Sequence, residues 1–197
     1  MIVIGLTGSI GMGKSTASAM LKRLGCAIHD ADAAVHRLTG VGGDAVAAIE
    51  AAFPGSTENG AVNRSALGPQ VFGDAAAVKR LENILHPLVS RERDKFLKHC
   101  ALHHQRFAVL DVPLLFETGG DARCDFTILV TAPKFIQAQR VLARPGMTQD
   151  KLRDIRKRQM PEAEKRRRAD VIIWTSLGRR PVLRQLQNTL TLADQSL

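Results

Sequence analysis

Apolar positions follow two rhythms along the chain. Short continuous runs, Ile2-Val3-Ile4-Gly5-Leu6, Phe107-Ala108-Val109-Leu110, Phe126-Thr127-Ile128-Leu129-Val130 and Val171-Ile172-Ile173-Trp174, are bounded by turn residues and read as strands covered on both faces. Cys26-Ala27-Ile28-His29 reads as a shorter fifth strand. Elsewhere apolar residues recur three and four positions apart, as in Ala17, Met20, Leu21 and Leu24, or Val182, Leu183, Leu186 and Leu190 within Pro181–Leu192. These are helices with one apolar stripe, and Gly25 stands where the first of them must end. Buried strands alternating with amphipathic helices predict an α/β fold with a parallel five-stranded sheet flanked by helices.

Two stretches interrupt the alternation. From Ala33 to Gln105 the pattern is helical throughout, with Asp44 capping Ala45–Phe53 and Asp74 preceding Ala75–Leu85, where Val78, Leu81, Ile84 and Leu85 keep helical spacing. Pro87, suited to a first helical position, begins another helix with Val89, Phe96, Leu97 and Cys100 inward. A simple crossover needs far fewer residues, so 33–105 is expected to be an inserted helical subdomain. The second interruption is a helix carrying Gln137, Arg140 and Arg144 at i, i+3 and i+7, broken by Pro145-Gly146 and followed by a helix over Thr148–Gln159. Residues 138–159 then form a short helical hairpin, and 1–32, 106–137 and 160–197 remain as the core.

Candidate chemistry concentrates after the first strand. Gly8-Ser9-Ile10-Gly11-Met12-Gly13-Lys14-Ser15-Thr16 matches G-x-x-x-x-G-K-[ST] between a strand and a helix, the context in which this loop, the P-loop, binds phosphates. Gly8, Gly11, Met12 and Gly13 would turn main-chain N–H groups inward, with Lys14, Ser15 and Thr16 opening the helix. Lys14 would reach the β- and γ-phosphates of a nucleoside triphosphate, and the Ser15 hydroxyl would ligate Mg²⁺. Asp30-Ala31-Asp32 ends the second strand, on the side where parallel sheets bind ligands. Asp32 there accepts a substrate proton or helps hold Mg²⁺, unless it only caps the next helix. Asp111 ends the third strand either as a carboxylate near Mg²⁺ or as the residue holding the turn before Pro113. His86 is either a helix-end cap or a substrate contact. With Arg140 and Arg144 on one helix face, the hairpin reads as a lid that closes positive charge over the transferred phosphoryl; the alternative is a solvated basic face.

Composition narrows the partners. The 197-residue chain carries a formal net charge of +9, and between Lys134 and Arg168 twelve Lys and Arg face four Asp and Glu, which accounts for nearly all of the excess. Aromatic residues make up only 4% and Tyr is absent, so the bases of a nucleic acid would find few stacking platforms; polyphosphate is the simpler partner. No apolar run approaches the roughly 20 residues that cross a bilayer. Cys26, Cys100 and Cys124 form no C-x-x-C and read as free thiols. No signal peptide is read at the start, so the expectation is a cytoplasmic protein with no nucleic acid, membrane or obligate protein partner. A GTP-binding switch would carry D-x-x-G and N-K-x-D, and neither occurs.

These stretches, in order, resemble one family, the dephospho-CoA kinases. Gly5-Leu6-Thr7-Gly8 running into the loop, Asp30-Ala31-Asp32, Leu85-His86-Pro87, Pro113-Leu114-Leu115-Phe116-Glu117, Gln137 with Arg140 and Arg144, Gln159, and Ala169-Asp170-Val171-Ile172-Ile173 carry the likeness across nearly the whole chain. The resemblance implies transfer of the γ-phosphoryl of ATP, with Mg²⁺, to the ribose 3′-hydroxyl of dephospho-CoA. It implies Lys14, Asp32 as general base and Arg140 as catalytic residues, and places His86, Phe116, Arg144 and Gln159 beside Asp32 at the acceptor. Residues 33–105 would be the CoA-binding subdomain and the hairpin through Gln159 the lid. Trp174-Thr175-Ser176-Leu177-Gly178 replaces the family's usual polar pair and glycine, in a segment expected near the adenine. Another small-metabolite or nucleotide kinase is the competing enzyme reading.

Overall fold

In the computed structural model, which describes residues 1–195, the first apolar run is strand β1 (Ile2–Thr7), buried at every position but Val3. The other strands are β2 (Ala27–Asp30), β3 (Thr57–Glu58), β4 (Ala61–Val62), β5 (Phe107–Asp111), β6 (Phe126–Thr131) and β7 (Val171–Trp174). Contacts among the elements gather residues 30–99 into one compact unit and the flanking segments into another.

The flanking segments build a five-stranded sheet in the order β2-β5-β1-β6-β7. β1 pairs in parallel with β5 and β6, and β6 in parallel with β7. The registers Leu6 opposite Asp111, Thr7 opposite Leu129 and Thr131 opposite Trp174 bring four strand ends to one edge. Helices α1 (Lys14–Arg23) and α9 (Arg179–Gln195) turn their apolar stripes onto the sheet: Ala17, Met20 and Leu21 join Val182, Leu186 and Leu190 in one core with Ile4, Leu6, Ile128, Val130 and Ile173. Each such Leu or Ile contributes about 1.5–3 kcal/mol of burial, so the sheet unit is a conventional apolar core. Gly25 follows α1 at φ 89°, as its C-terminal position requires. Cys26 and Cys100 are buried free thiols, and burial pushes the Cys26 thiol up to about 11.

Residues 30–99 contain α2 (Ala31–Thr39), α3 (Val46–Ala52), α4 (Arg64–Val71) and most of α5 (Ala75–Leu102) around Leu38, Ile49, Phe53, Leu67 and Ala77. Three features differ from the sequence expectation. The stretch is not helical throughout: β3 and β4 form an antiparallel hairpin closed by Asn59 and Gly60, both at positive φ, as a tight two-residue turn demands. Asp44 does not cap α3; Ala45 stands at the cap, its methyl group buried in the core and offering no acceptor. Pro87 does not start a helix but lies inside α5. Proline removes one i→i−4 bond there, yet Leu81, Ile84 and Leu85 before it and Leu88 and Val89 after it pack on the same core, which carries the helix through. Asp74 does cap α5, accepting from the Ala76 and Ala77 N–H groups.

Beyond β6 come α6 (Lys134–Leu142), α7 (Gln149–Arg158) and α8 (Glu162–Arg168). α6 stops two residues before Arg144, broken by Pro145 and by Gly146 at φ 71°, so Arg140 and Arg144 do not share a helix face. Thr148 caps α7, accepting from the Lys151 N–H.

Candidate active site

The loop after β1 is shaped by its neighbours. A Cβ on Gly8 would stand 2.4 Å from Val130 Cγ2 and 2.8 Å from the Val130 carbonyl oxygen, so only glycine lets the chain leave the sheet beside β6. Gly13, in the cap position of α1, has φ 92°, a left-handed conformation that costs other residues about 1 kcal/mol or more. Lys14 thereby becomes the first helical residue, with Ser15 and Thr16 exposed in the first turn. Among the described residues the N–H groups of Gly11, Gly13, Lys14 and Ser15 take no acceptor, whereas that of Met12 bonds the Ser9 carbonyl at 3.1 Å. Orphan donors at a helix start, aligned with its dipole, make an anion-binding concavity.

The Lys14 ammonium meets Asp111 Oδ1 at 2.5 Å, with side chains only 15% and 4% exposed. Asp111 ends β5 opposite Leu6, so the sheet register delivers this carboxylate beside the loop. Thr7 Oγ1 ties the same edge together by donating to the Pro113 carbonyl at 3.0 Å.

A second set of side chains grips the loop. Gln137, nearly fully buried, donates through Nε2 to the Ile10 carbonyl at 2.8 Å, and its Oε1 accepts from Arg156 Nε at 3.0 Å and Nη2 at 2.7 Å. Gln159 Oε1 accepts the Ile10 N–H at 3.3 Å. Arg140 Nη1 reaches the Gly11 carbonyl at 3.4 Å and Thr175 Oγ1 at 2.9 Å, while its Nη2 donates to the Thr175 carbonyl at 2.9 Å. Thr175 Oγ1 in turn donates to the Met12 carbonyl at 2.7 Å. Glu162 accepts from Ser9 Oγ at 3.2 Å and Thr131 Oγ1 at 2.5 Å. Behind these contacts the buried Lys165 ammonium pairs with Glu117 Oε1 at 2.8 Å, and Met160 N–H donates to the same oxygen at 2.9 Å.

The sheet unit therefore gathers the loop residues Gly8, Gly11, Met12, Gly13, Lys14, Ser15 and Thr16 with Arg140 and Gln159. It does not bring Arg144 to them: that residue is exposed beyond the end of α6. Phe116 is buried, with the Arg168 guanidinium 5.0 Å over its ring. Asp32 and His86 belong to the 30–99 unit. Asp32 is exposed in the first turn of α2, where Asp30 takes the capping duty by accepting the Ala33 N–H at 3.0 Å. His86 is exposed in the middle of α5, so it caps no helix end. The sequence had given no sign of the loop contacts of Gln137, Glu162 and Thr175. Gln137 reads as part of a helix face and of the family likeness, and Thr175 as a departure from the family pattern in a segment expected near the adenine; neither points to the loop.

Comparison with known proteins fits this geometry. The dephospho-CoA kinase family model matches residues 2–178. A dephospho-CoA kinase of Rhodospirillum rubrum is 57% identical over 193 residues, 98% of this chain and 92% of that protein. A solved structure from Thermus thermophilus superposes with a TM-score of 0.87 at 34% identity, covering 98% of this chain and 97% of the other. The dephospho-CoA kinase of Campylobacter jejuni has a TM-score of 0.72 at 23% identity, covering 99% and 98%, and shows the shared fold. On sequence and fold together, the chain belongs to the dephospho-CoA kinase family.

Proposed function

We propose that this chain transfers the γ-phosphoryl group of ATP to the ribose 3′-hydroxyl of dephospho-CoA, the last step of coenzyme A synthesis. The observation that carries the donor half is the start of α1, where a lysine ammonium and a row of main-chain N–H groups without protein acceptors stand together. Phosphoryl transfer asks for positioning and charge neutralisation more than covalent work, and these groups supply both. Lys14 neutralises the β- and γ-phosphates. The exposed Ser15 hydroxyl and the Asp111 carboxylate are hard oxygen donors of the kind Mg²⁺ takes; they would hold the ion, which would help neutralise the phosphate charge.

Asp32 acts as the general base that accepts the proton of the attacking hydroxyl. Its release from capping by Asp30 supports that role. Arg140 stabilises charge on the transferring group with guanidinium N–H groups not spent on Gly11 and Thr175. Residues 33–105 form the CoA-binding subdomain, with His86, Phe116, Arg144 and Gln159 on the acceptor side. Residues 138–159 form the lid, and the open cavity of about 510 Å³ lined by Gln149, Arg153, Arg156 and Lys157 supports a polyphosphate partner there. Among the described residues no helix is long and apolar enough to cross a membrane. The reading places the enzyme in the cytoplasm, acting on small molecules without nucleic acid or an obligate protein partner.

The test is ADP release with ATP and Mg²⁺ over a panel of acceptor alcohols. Turnover is expected with dephospho-CoA and not with nucleosides or small metabolite alcohols. Phosphorylation of another alcohol with dephospho-CoA inert overturns the reading.

A further inference from the structure

Three successive carbonyls of the loop, those of Ile10, Gly11 and Met12, are each held by a side chain from outside it. Gln137 holds the first at 2.8 Å, Arg140 the second at 3.4 Å and Thr175 the third at 2.7 Å. No cis peptide occurs among the described residues. In a planar trans peptide the C=O and the following N–H point in opposite directions. Fixing the Ile10 carbonyl therefore fixes the Gly11 N–H away from Gln137, and fixing the Met12 carbonyl fixes the Gly13 N–H away from Thr175. These are two of the N–H groups that take no protein acceptor, whereas the intervening Met12 N–H is spent on Ser9. We infer that Gln137 and Thr175 are positioning residues of the nucleotide site: they aim the Gly11 and Gly13 N–H groups at the triphosphate by gripping the carbonyls on the far side of the same peptides.

The grip is itself fixed. Gln137 is 3% exposed, and its amide has one workable orientation because two Arg156 N–H groups occupy Oε1, leaving Nε2 for Ile10. A hydrogen bond from a guanidinium is about twice as strong as a neutral one, so Arg156, on α7, locks the amide. Thr175 is held from the other side, since its hydroxyl accepts from Arg140 while it donates to Met12. A Cβ on Gly13 would stand 3.1 Å from the Thr175 side chain, so the loop leaves room there for the hydroxyl to reach Met12. A donor aimed before the ligand arrives costs no reorganisation on binding, which is where such a device gains affinity. The inference rests on the nucleotide reading above for the identity of the anion.

The experiment measures binding of ATP, and separately of inorganic tripolyphosphate, by titration calorimetry to the whole chain and to Thr175→Val, Thr175→Ser and Gln137→Glu. Valine keeps the shape of threonine and removes the donor; glutamate keeps the Arg156 partner and puts an acceptor where Ile10 needs a donor. Both are expected to weaken ATP and tripolyphosphate on the order of tenfold, the loss of about one net hydrogen bond. Thr175→Ser should restore wild-type affinity, and the KM for dephospho-CoA should stay put in all variants. A change in packing alone would lower the Tm without this pattern. If Thr175→Val fails to fold, Gln137→Glu and the serine variant decide. Unchanged affinity for both anions in the folded variants overturns the inference, even with turnover reduced. A wild-type protein that binds tripolyphosphate but leaves dephospho-CoA unphosphorylated would instead overturn the proposed function.

Discussion

Asp30 accepts the Ala33 N–H that caps α2, which leaves the Asp32 carboxylate, two residues on, exposed and without a hydrogen bond among the described residues. Asp32→Asn removes the proton acceptor and leaves the loop untouched. The kcat should fall by a factor on the order of 10² to 10⁴, with ATP affinity kept, in steady-state and calorimetric measurements. Lys14→Ala acts differently. It deletes the ammonium that the phosphates require and removes the cation that pairs with Asp111, 3% exposed, at 2.5 Å. Turnover should vanish, and stability should drop by up to about 3–5 kcal/mol in urea, the usual cost of breaking a largely buried pair. Near-normal activity in that variant would remove the loop from the mechanism.

Among the elements, α5 is where local chemistry and packing disagree most. Pro87 deprives it of one main-chain bond, and the helix persists only because apolar residues on both sides share a core. Pro87→Ala should therefore raise the melting temperature, since proline costs a helix interior about 3 kcal/mol relative to alanine; an unchanged or lowered Tm would show that the helix gains nothing from the restored bond. The same helix shows what the sequence could reveal. The continuous apolar runs named β1, β5 and β6, which are covered on both faces, and also β7, whose place at the sheet edge leaves Trp174 exposed. The loop and the Asp74 cap were legible from local residue types. That α5 runs through Pro87 is not legible locally, because what carries it through is tertiary packing. The β3–β4 hairpin is legible in Asn59-Gly60, a two-residue turn signal that the surrounding helical pattern outweighs. The grip on the loop was not legible at all, since Gln137 and Thr175 meet it from α6 and from beyond β7, over 100 residues away in sequence.

For the molecule as a whole, ligand and stability are linked by mass action. ATP with Mg²⁺ at about 100 times its Kd should stabilise the folded state by about 2.7 kcal/mol, which in a chain of this length lifts the Tm by roughly 5–10 °C; calorimetric scans with and without nucleotide check this. The sheet has another property that belongs to no single site. β7 is its last strand, four residues of Val, Ile, Ile and Trp with one side unpaired in the sheet order. Ahead of it, with two residues between, α8 ends in Arg166, Arg167 and Arg168, and the Arg166 guanidinium lies 4.5 Å over the Trp174 ring. A cationic run ahead of an apolar edge repels a second copy of the same edge, so part of the positive charge that points to a polyphosphate partner is expected to keep refolding chains from zipping together. Replacing Arg166 and Arg167 together by glutamine should increase light scattering during refolding from urea, and clear solutions at equal concentration would show that the edge needs no such guard.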